Sequence, residues 1–94
     1  MEIVVEVTKN RFNQEKYVPV KEDGFYVVTI YDKETGKILK ASAKRATVKE
    51  VIEKGRRHVY RYIRIQLPWY STLRRYLGRR RKYELIIKVR KIEE

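Results

Sequence analysis

Thr47–Leu67, TVKEVIEKGRRHVYRYIRIQL, holds two periodicities side by side. In its first half Val48, Val51 and Ile52 recur at helical spacing, and Thr47 and Glu50 have the separation of a capping box. Glu50 stands four residues before Lys54, and Gly55 is placed to end the element. A short helix is expected there. From Val59 the period becomes two: Val59, Ile63, Ile65 and Leu67 share one side, while Tyr60, Tyr62, Arg64 and Gln66 share the other. Arg61 interrupts the apolar side near one end. This half reads as a strand with one buried face.

Beyond it, Pro68 stops the strand and suits the first turn of a second helix running to about Leu77. Trp69, Leu73, Tyr76 and Leu77 recur at helical spacing, with Trp69 and Leu73 expected in the core. Gly78 follows as a cap, and Arg74 and Arg75 complement the negative end of the helix dipole. Tyr83–Ile92 reads as a last strand with Tyr83, Leu85, Ile87 and Val89 facing inward.

Towards the N-terminus, Ile3, Val5 and Val7 alternate with Glu2, Val4 and Glu6 as a first strand. Asn10–Glu22 contains a proline and no sustained period, so a loop with a short extended piece at Tyr17–Val20 is expected. Phe25–Tyr31 and Lys37–Arg45 flank Asp32-Lys33-Glu34-Thr35-Gly36, a hairpin in which Gly36 supplies the positive φ of the turn. Leu39, Ala41 and Ala43 are expected to face the core. The order β-β-β-α-β-α-β predicts a compact two-layer α+β sandwich, a mainly antiparallel sheet of about five strands carrying two short helices. Ninety-four residues correspond to one domain, here residues 1–94.

The residue inventory argues against an enzyme. His58 is the only histidine, cysteine is absent, and Glu22, Asp23, Asp32 and Glu34 fall in turns rather than as pairs on rigid elements. A Ser/His/Asp triad, a thiolate metal site or a histidine cluster has no residues to draw on. The glycines at 24, 36, 55 and 78 lack the spacing of a phosphate-binding loop. No cofactor, metal or small-molecule substrate is expected. Tyr26–Asp32, YVVTIYD, resembles the first strand of the CRISPR-associated Cas2 family, in which an acidic residue ends the strand. In that family a helix follows; here a hairpin turn does, which assigns Asp32 to the first position of a turn.

Charge points to a polyanion. The chain has 24 Lys and Arg against 12 Asp and Glu, a net charge of +12. Residues 48–94 carry fifteen basic and five acidic groups, so +10 of that charge lies in the second half. Arg56–Lys82 has ten basic residues, no carboxylate and five interleaved Tyr or Trp residues. Such a surface gains phosphate through counterion release, and guanidinium groups both fork onto phosphate and stack on bases. The candidate nucleic-acid-binding residues are Arg56, Arg57, His58, Tyr60, Arg61, Tyr62, Arg64, Tyr70, Arg74, Arg75, Arg79, Arg80, Arg81 and Lys82. Arg56–His58 and Arg79–Lys82 both lie where a predicted helix gives way to a strand, and they form one site if those junctions share a sheet edge.

The sequence therefore supports a non-enzymatic structural RNA-binding protein, with RNA, and rRNA in particular, favoured over DNA. A small ribosomal or ribosome-associated protein of a thermophilic archaeon fits the composition, in which 38% of residues are charged and Asn, Gln, Met and Cys are scarce. Other ribosomal proteins are then natural neighbours. A chromatin-like or viral DNA-binding protein is the first alternative, and an adaptor for an acidic protein or anionic membrane surface the second. No run approaches the ~18 apolar residues of a membrane span, the N-terminus lacks a signal peptide's positive charge, and a cytoplasmic protein is expected.

Overall fold

Alternating apolar and polar residues build most of the architecture. In the computed structural model, which describes residues 1–11 and 14–93, the described residues form seven strands and one helix. They are β1 (Glu2–Thr8), β2 (Glu15–Pro19), β3 (Phe25–Asp32), β4 (Ile38–Arg45), β5 (Thr47–Glu53), β6 (Arg56–Gln66), α1 (Tyr70–Leu77) and β7 (Lys82–Lys91). A larger antiparallel sheet has the order β1-β7-β3-β4, and a smaller one the order β2-β6-β5. Residues 12 and 13, near the start of the predicted Asn10–Glu22 loop, lie outside the described residues.

The inward faces of the two sheets share one core. Val5 and Val7 from β1, Tyr26, Val28 and Ile30 from β3, and Tyr83, Leu85, Ile87 and Val89 from β7 meet Val18, Ile63 and Ile65 of the smaller sheet. Leu73 of α1 joins the same cluster. Full burial of each such aliphatic side chain contributes about 1.5–3 kcal/mol relative to leaving it in water. The predicted inward faces of the first and last strands are the ones observed.

The α+β sandwich with two helices is overturned. Thr47–Glu53 is a strand, and Lys54 and Gly55, with φ of 51° and 73°, form the two-residue turn of a hairpin whose register places Glu53 opposite Arg56. Positive φ at both central residues is the type I′ condition, matching the right-handed twist of the strands. Glu50 pairs with Arg57 across the hairpin instead of with Lys54 along a helix. Val48, Val51 and Ile52 are β-branched, and stiff side chains of that kind favour a pleated strand once a partner strand is supplied. β6 is that partner, and it extends back to Arg56 rather than starting at Val59.

β4 also departs from expectation. Ile30 pairs with Lys40 but Tyr31 with Ile38, so Leu39 is an extra residue at a bulge. Beyond it Ser42 and Lys44 lie opposite Val28 and Tyr26 on the covered face, while Ala41 and Ala43 lie opposite Thr29 and Val27 on the other. The predicted inward set is inverted except for Leu39, which still packs against the core. From β4 the chain passes to the smaller sheet through the buried Ala46, whose N–H donates to the Gly24 carbonyl at 2.9 Å.

From Thr47 to Arg61 every residue is at least partly exposed. β2 pairs β6 only from Tyr62 to Gln66, so β5 with Arg56–Arg61 is a two-stranded arm. The radius of gyration, 15.4 Å, exceeds the roughly 12 Å of a compact chain of this length. The long dimension of the molecule is 51 Å.

Candidate nucleic-acid interface

Because Ile63 and Ile65 face the larger sheet, strand alternation turns Arg56, His58, Tyr60, Tyr62 and Arg64 away from it. Their neighbours across β5 on that outward face are Glu53 opposite Arg56, Val51 opposite His58, Lys49 opposite Tyr60 and Thr47 opposite Tyr62. Across β2, Tyr17 lies opposite Arg64 and Pro19 opposite Tyr62. Tyr17 and Tyr62 meet edge to face with centroids 5.5 Å apart, and His58 stacks on Tyr60 at 6.4 Å. Tyr17 and Tyr60 are 57% and 50% exposed, so this aromatic row is not a core feature. Tyr17 is a member that sequence reading missed. The alternation of Tyr17 and Pro19 with Val18 was its only signal, over five residues.

Electrostatics divides the predicted arginines. Arg64 is bound to Glu15, which also accepts a hydrogen bond from the Tyr17 hydroxyl at 3.0 Å. The bond to Arg64, followed by that from Tyr17, holds the Glu15 carboxyl below its usual range, and the same contacts raise the Tyr17 phenol and Arg64. Arg64 therefore comes to a phosphate already paired. Arg57 is paired with Glu50 on the opposite face of the arm, where Arg61 lies across from Val48. Among the described residues, Arg56, Arg61, Arg74, Arg75, Arg79 and Arg81 have no ion pair.

The Arg79–Lys82 loop contains less free charge than its sequence suggests. Arg80 turns inward, binding the buried Asp32 at 2.9 Å and also Glu34, with its guanidinium 4.7 Å from the Tyr83 ring centre. Its backbone is held as well: the Tyr70 hydroxyl donates to the Arg80 carbonyl at 2.8 Å, and the Arg80 N–H donates to the Tyr83 hydroxyl at 3.3 Å. Tyr70 packs edge-on against Tyr83 at 5.5 Å. Arg80 and Tyr70 thus brace the loop. Lys82 lies 3.4 Å from Glu84 and 3.8 Å from Glu6, leaving Arg79 and Arg81 as the loop's unpaired cations. Arg74 and Arg75 are exposed in the last turn of α1.

Asp32 is placed as the first residue of the β3–β4 turn. Its Oδ2 accepts from the Thr35 N–H at 3.1 Å and the Thr35 hydroxyl at 2.8 Å, and its carbonyl accepts from Gly36 at 2.8 Å. Burial alone would raise the carboxyl, but the bonds from Arg80 and Thr35 outweigh it and hold it below the ordinary aspartate value.

The two basic clusters are not neighbours. Arg80 is bound at the Asp32 end of β3, whereas the arm leaves the body beside Phe25 and Gly24, at the other end of that strand. Eight strand residues separate those ends by roughly 25 Å. The condition for a single site, that the two helix-to-strand junctions share a sheet edge, is not met, because the first of those helices is a strand of the arm.

Among the described residues no group of three or more His, Cys, Asp or Glu is placed to hold a metal ion, and no helix is long and apolar enough to cross a membrane. No family model matches the chain, and no curated protein or solved structure matches it.

Proposed function

We propose that this is a non-enzymatic, cytoplasmic RNA-binding protein that holds folded RNA through the outward face of its smaller sheet and arm, the kind of role a ribosomal protein plays. The observation that carries this reading is the row Tyr17, Tyr62, Tyr60 and His58, in which Tyr17 and Tyr60 are exposed and Tyr62 and His58 half-buried, flanked by Lys49 and the unpaired Arg56. Tyrosines exposed on a sheet offer stacking platforms to unpaired bases, and adjacent cations take the backbone. Loops and bulges of folded RNA present such bases. A duplex keeps them stacked.

The arm also supports a second reading, since a two-stranded ribbon is one of the shapes that enter the major groove of DNA. Competition at fixed salt between an RNA hairpin with an unpaired loop and a DNA duplex of equal length separates the two. Preference for the hairpin, weakened about tenfold by Tyr60→Ala, supports RNA binding. Preference for the duplex, with Tyr60→Ala neutral, overturns it.

A further inference from the structure

A groove of about 500 Å³ lies between the start of β4 and α1, on the side of the molecule away from the arm. Its walls include Ile38, Leu39, Trp69 and Tyr76, its rim carries Lys37 and Lys40, and no carboxylate among the described residues lines it. Ile38, Trp69 and Tyr76 are 63%, 52% and 60% exposed.

Lys37, Ile38, Leu39 and Lys40 are consecutive. Ile38–Lys40 begin β4, with the bulge at Leu39 among them, and Lys37 precedes it, so the groove runs along the start of that strand. β4 is an edge of the larger sheet, with β3 on one side only. Peptide N–H and C=O groups along such an edge are a template for another strand.

We propose that this groove docks an extended acidic peptide segment of a partner protein, which adds as a strand to the free edge of β4 and seats one large apolar side chain among Ile38, Trp69 and Tyr76. Backbone bonding supplies the alignment and the groove the side-chain selection, as in other strand-addition complexes. The charge of the rim selects the partner's sign. It also disfavours a second copy of this chain pairing β4 to β4, which would set Lys37, Lys40, Lys44 and Arg45 against their equivalents. The other edge of the sheet, β1, carries Glu2 and Glu6, but these are already paired with Lys88 and Lys82. A nucleic acid strand has no use for the backbone ladder, which is why a peptide is the occupant argued. The proposal does not rest on the RNA reading.

Trp69 is the only tryptophan, so tryptophan fluorescence reports on this one position in the groove wall. The probe is a capped Glu-Thr-Glu-Leu-Glu-Thr-Glu peptide, with two controls: lysine in place of each glutamate, and N-methylation at alternate amides. The expected result is a saturable emission shift with the acidic peptide, together with slower amide exchange along β4. The double variant Lys37→Glu, Lys40→Glu should weaken binding by about tenfold or more. Its unchanged circular dichroism and RNA affinity would show that the fold persists. Equal binding of the lysine or N-methylated peptide overturns the proposal, as does the absence of saturation at millimolar peptide. An oligouridine strand that shifts Trp69 emission more tightly than the peptide assigns the groove to nucleic acid instead, and concentration-dependent dimers lost in the double variant assign it to a second copy.

Discussion

The Arg80 guanidinium lies 2.9 Å from Oδ2 of Asp32, the one fully buried charged side chain among the described residues. The pair ties the α1–β7 loop to the β3–β4 turn, with Thr35 completing the shell of Oδ2. Arg80 is 23% exposed at its side chain, so solvent screens the pair only in part.

Removing one partner leaves a charge without its counter-ion. Arg80→Ala should destabilise the fold by about 3–5 kcal/mol, read as a shift in the denaturant midpoint at unchanged slope. Arg79→Ala and Arg81→Ala, which break no ion pair, should stay within about 0.5 kcal/mol. Equal effects at the three positions would show that Arg80 does not hold the loop.

Asp32 should also shape the acid limb of the stability curve. Its folded carboxyl titrates below the unfolded one, so its contribution is present above the unfolded value of about 3.9 and is lost as pH falls towards the lowered folded value. Asp32→Asn should lower stability at pH 7 and flatten the pH dependence below about pH 4. A parallel downward shift at all pH values would mean that Asp32 titrates alike in both states.

Trp69 and Leu73 should separate in a stability measurement. Leu73 is 1% exposed and Trp69 52%, although helical spacing assigns both to the core. Leu73→Ala should cost about 2–5 kcal/mol, whereas Trp69→Ala should cost no more than about 1–2 kcal/mol, with half of its surface already in water. The reverse order in urea melts would restore Trp69 to the core.

The hairpin turn sets the order of the arm. A Cβ at Gly55 meets nothing within 4 Å, so Gly55→Ala acts only through the positive φ and should cost about 1 kcal/mol, felt locally. Lys54→Asn installs the favoured I′ dipeptide and should slow amide exchange in β5. Faster exchange in Lys54→Asn would rule out this turn type in solution.

Salt dependence distinguishes the two basic clusters. Each single-strand phosphate neutralised contributes about −0.7 to the slope of log affinity against log salt. Lys49→Ala with Arg56→Ala should make the slope shallower by about 1.4, while Arg79→Ala with Arg81→Ala leaves it unchanged if RNA lies on the arm face alone. Changes of equal size from both pairs would place RNA along the whole length of the molecule.

The sequence by itself determined the strands that carry their own evidence. Ile3-Val5-Val7, Ile63-Ile65-Leu67 and Tyr83-Leu85-Ile87-Val89 alternate so regularly that only one face can be buried, and each of these residues is buried or half-buried as expected, whereas Val59, assigned to the same face as Ile63, is 42% exposed because it lies on the arm. The same alternation puts Tyr60, Tyr62 and Arg64 on the opposite side, and the structure shows that this side faces away from the core. Tertiary structure decided the rest. Val48, Val51 and Ile52 satisfy a helix and a strand equally well, and the choice was made by Arg56–Tyr62 arriving as a partner strand through the Lys54-Gly55 turn. Arg80 is indistinguishable from Arg79 and Arg81 in a run of like residues. It became a brace because Asp32, 48 residues away, is buried beside it. Local periodicity fixes which side of an element is apolar; which element it meets, and which charge finds a partner, depends on contacts between residues far apart in the chain.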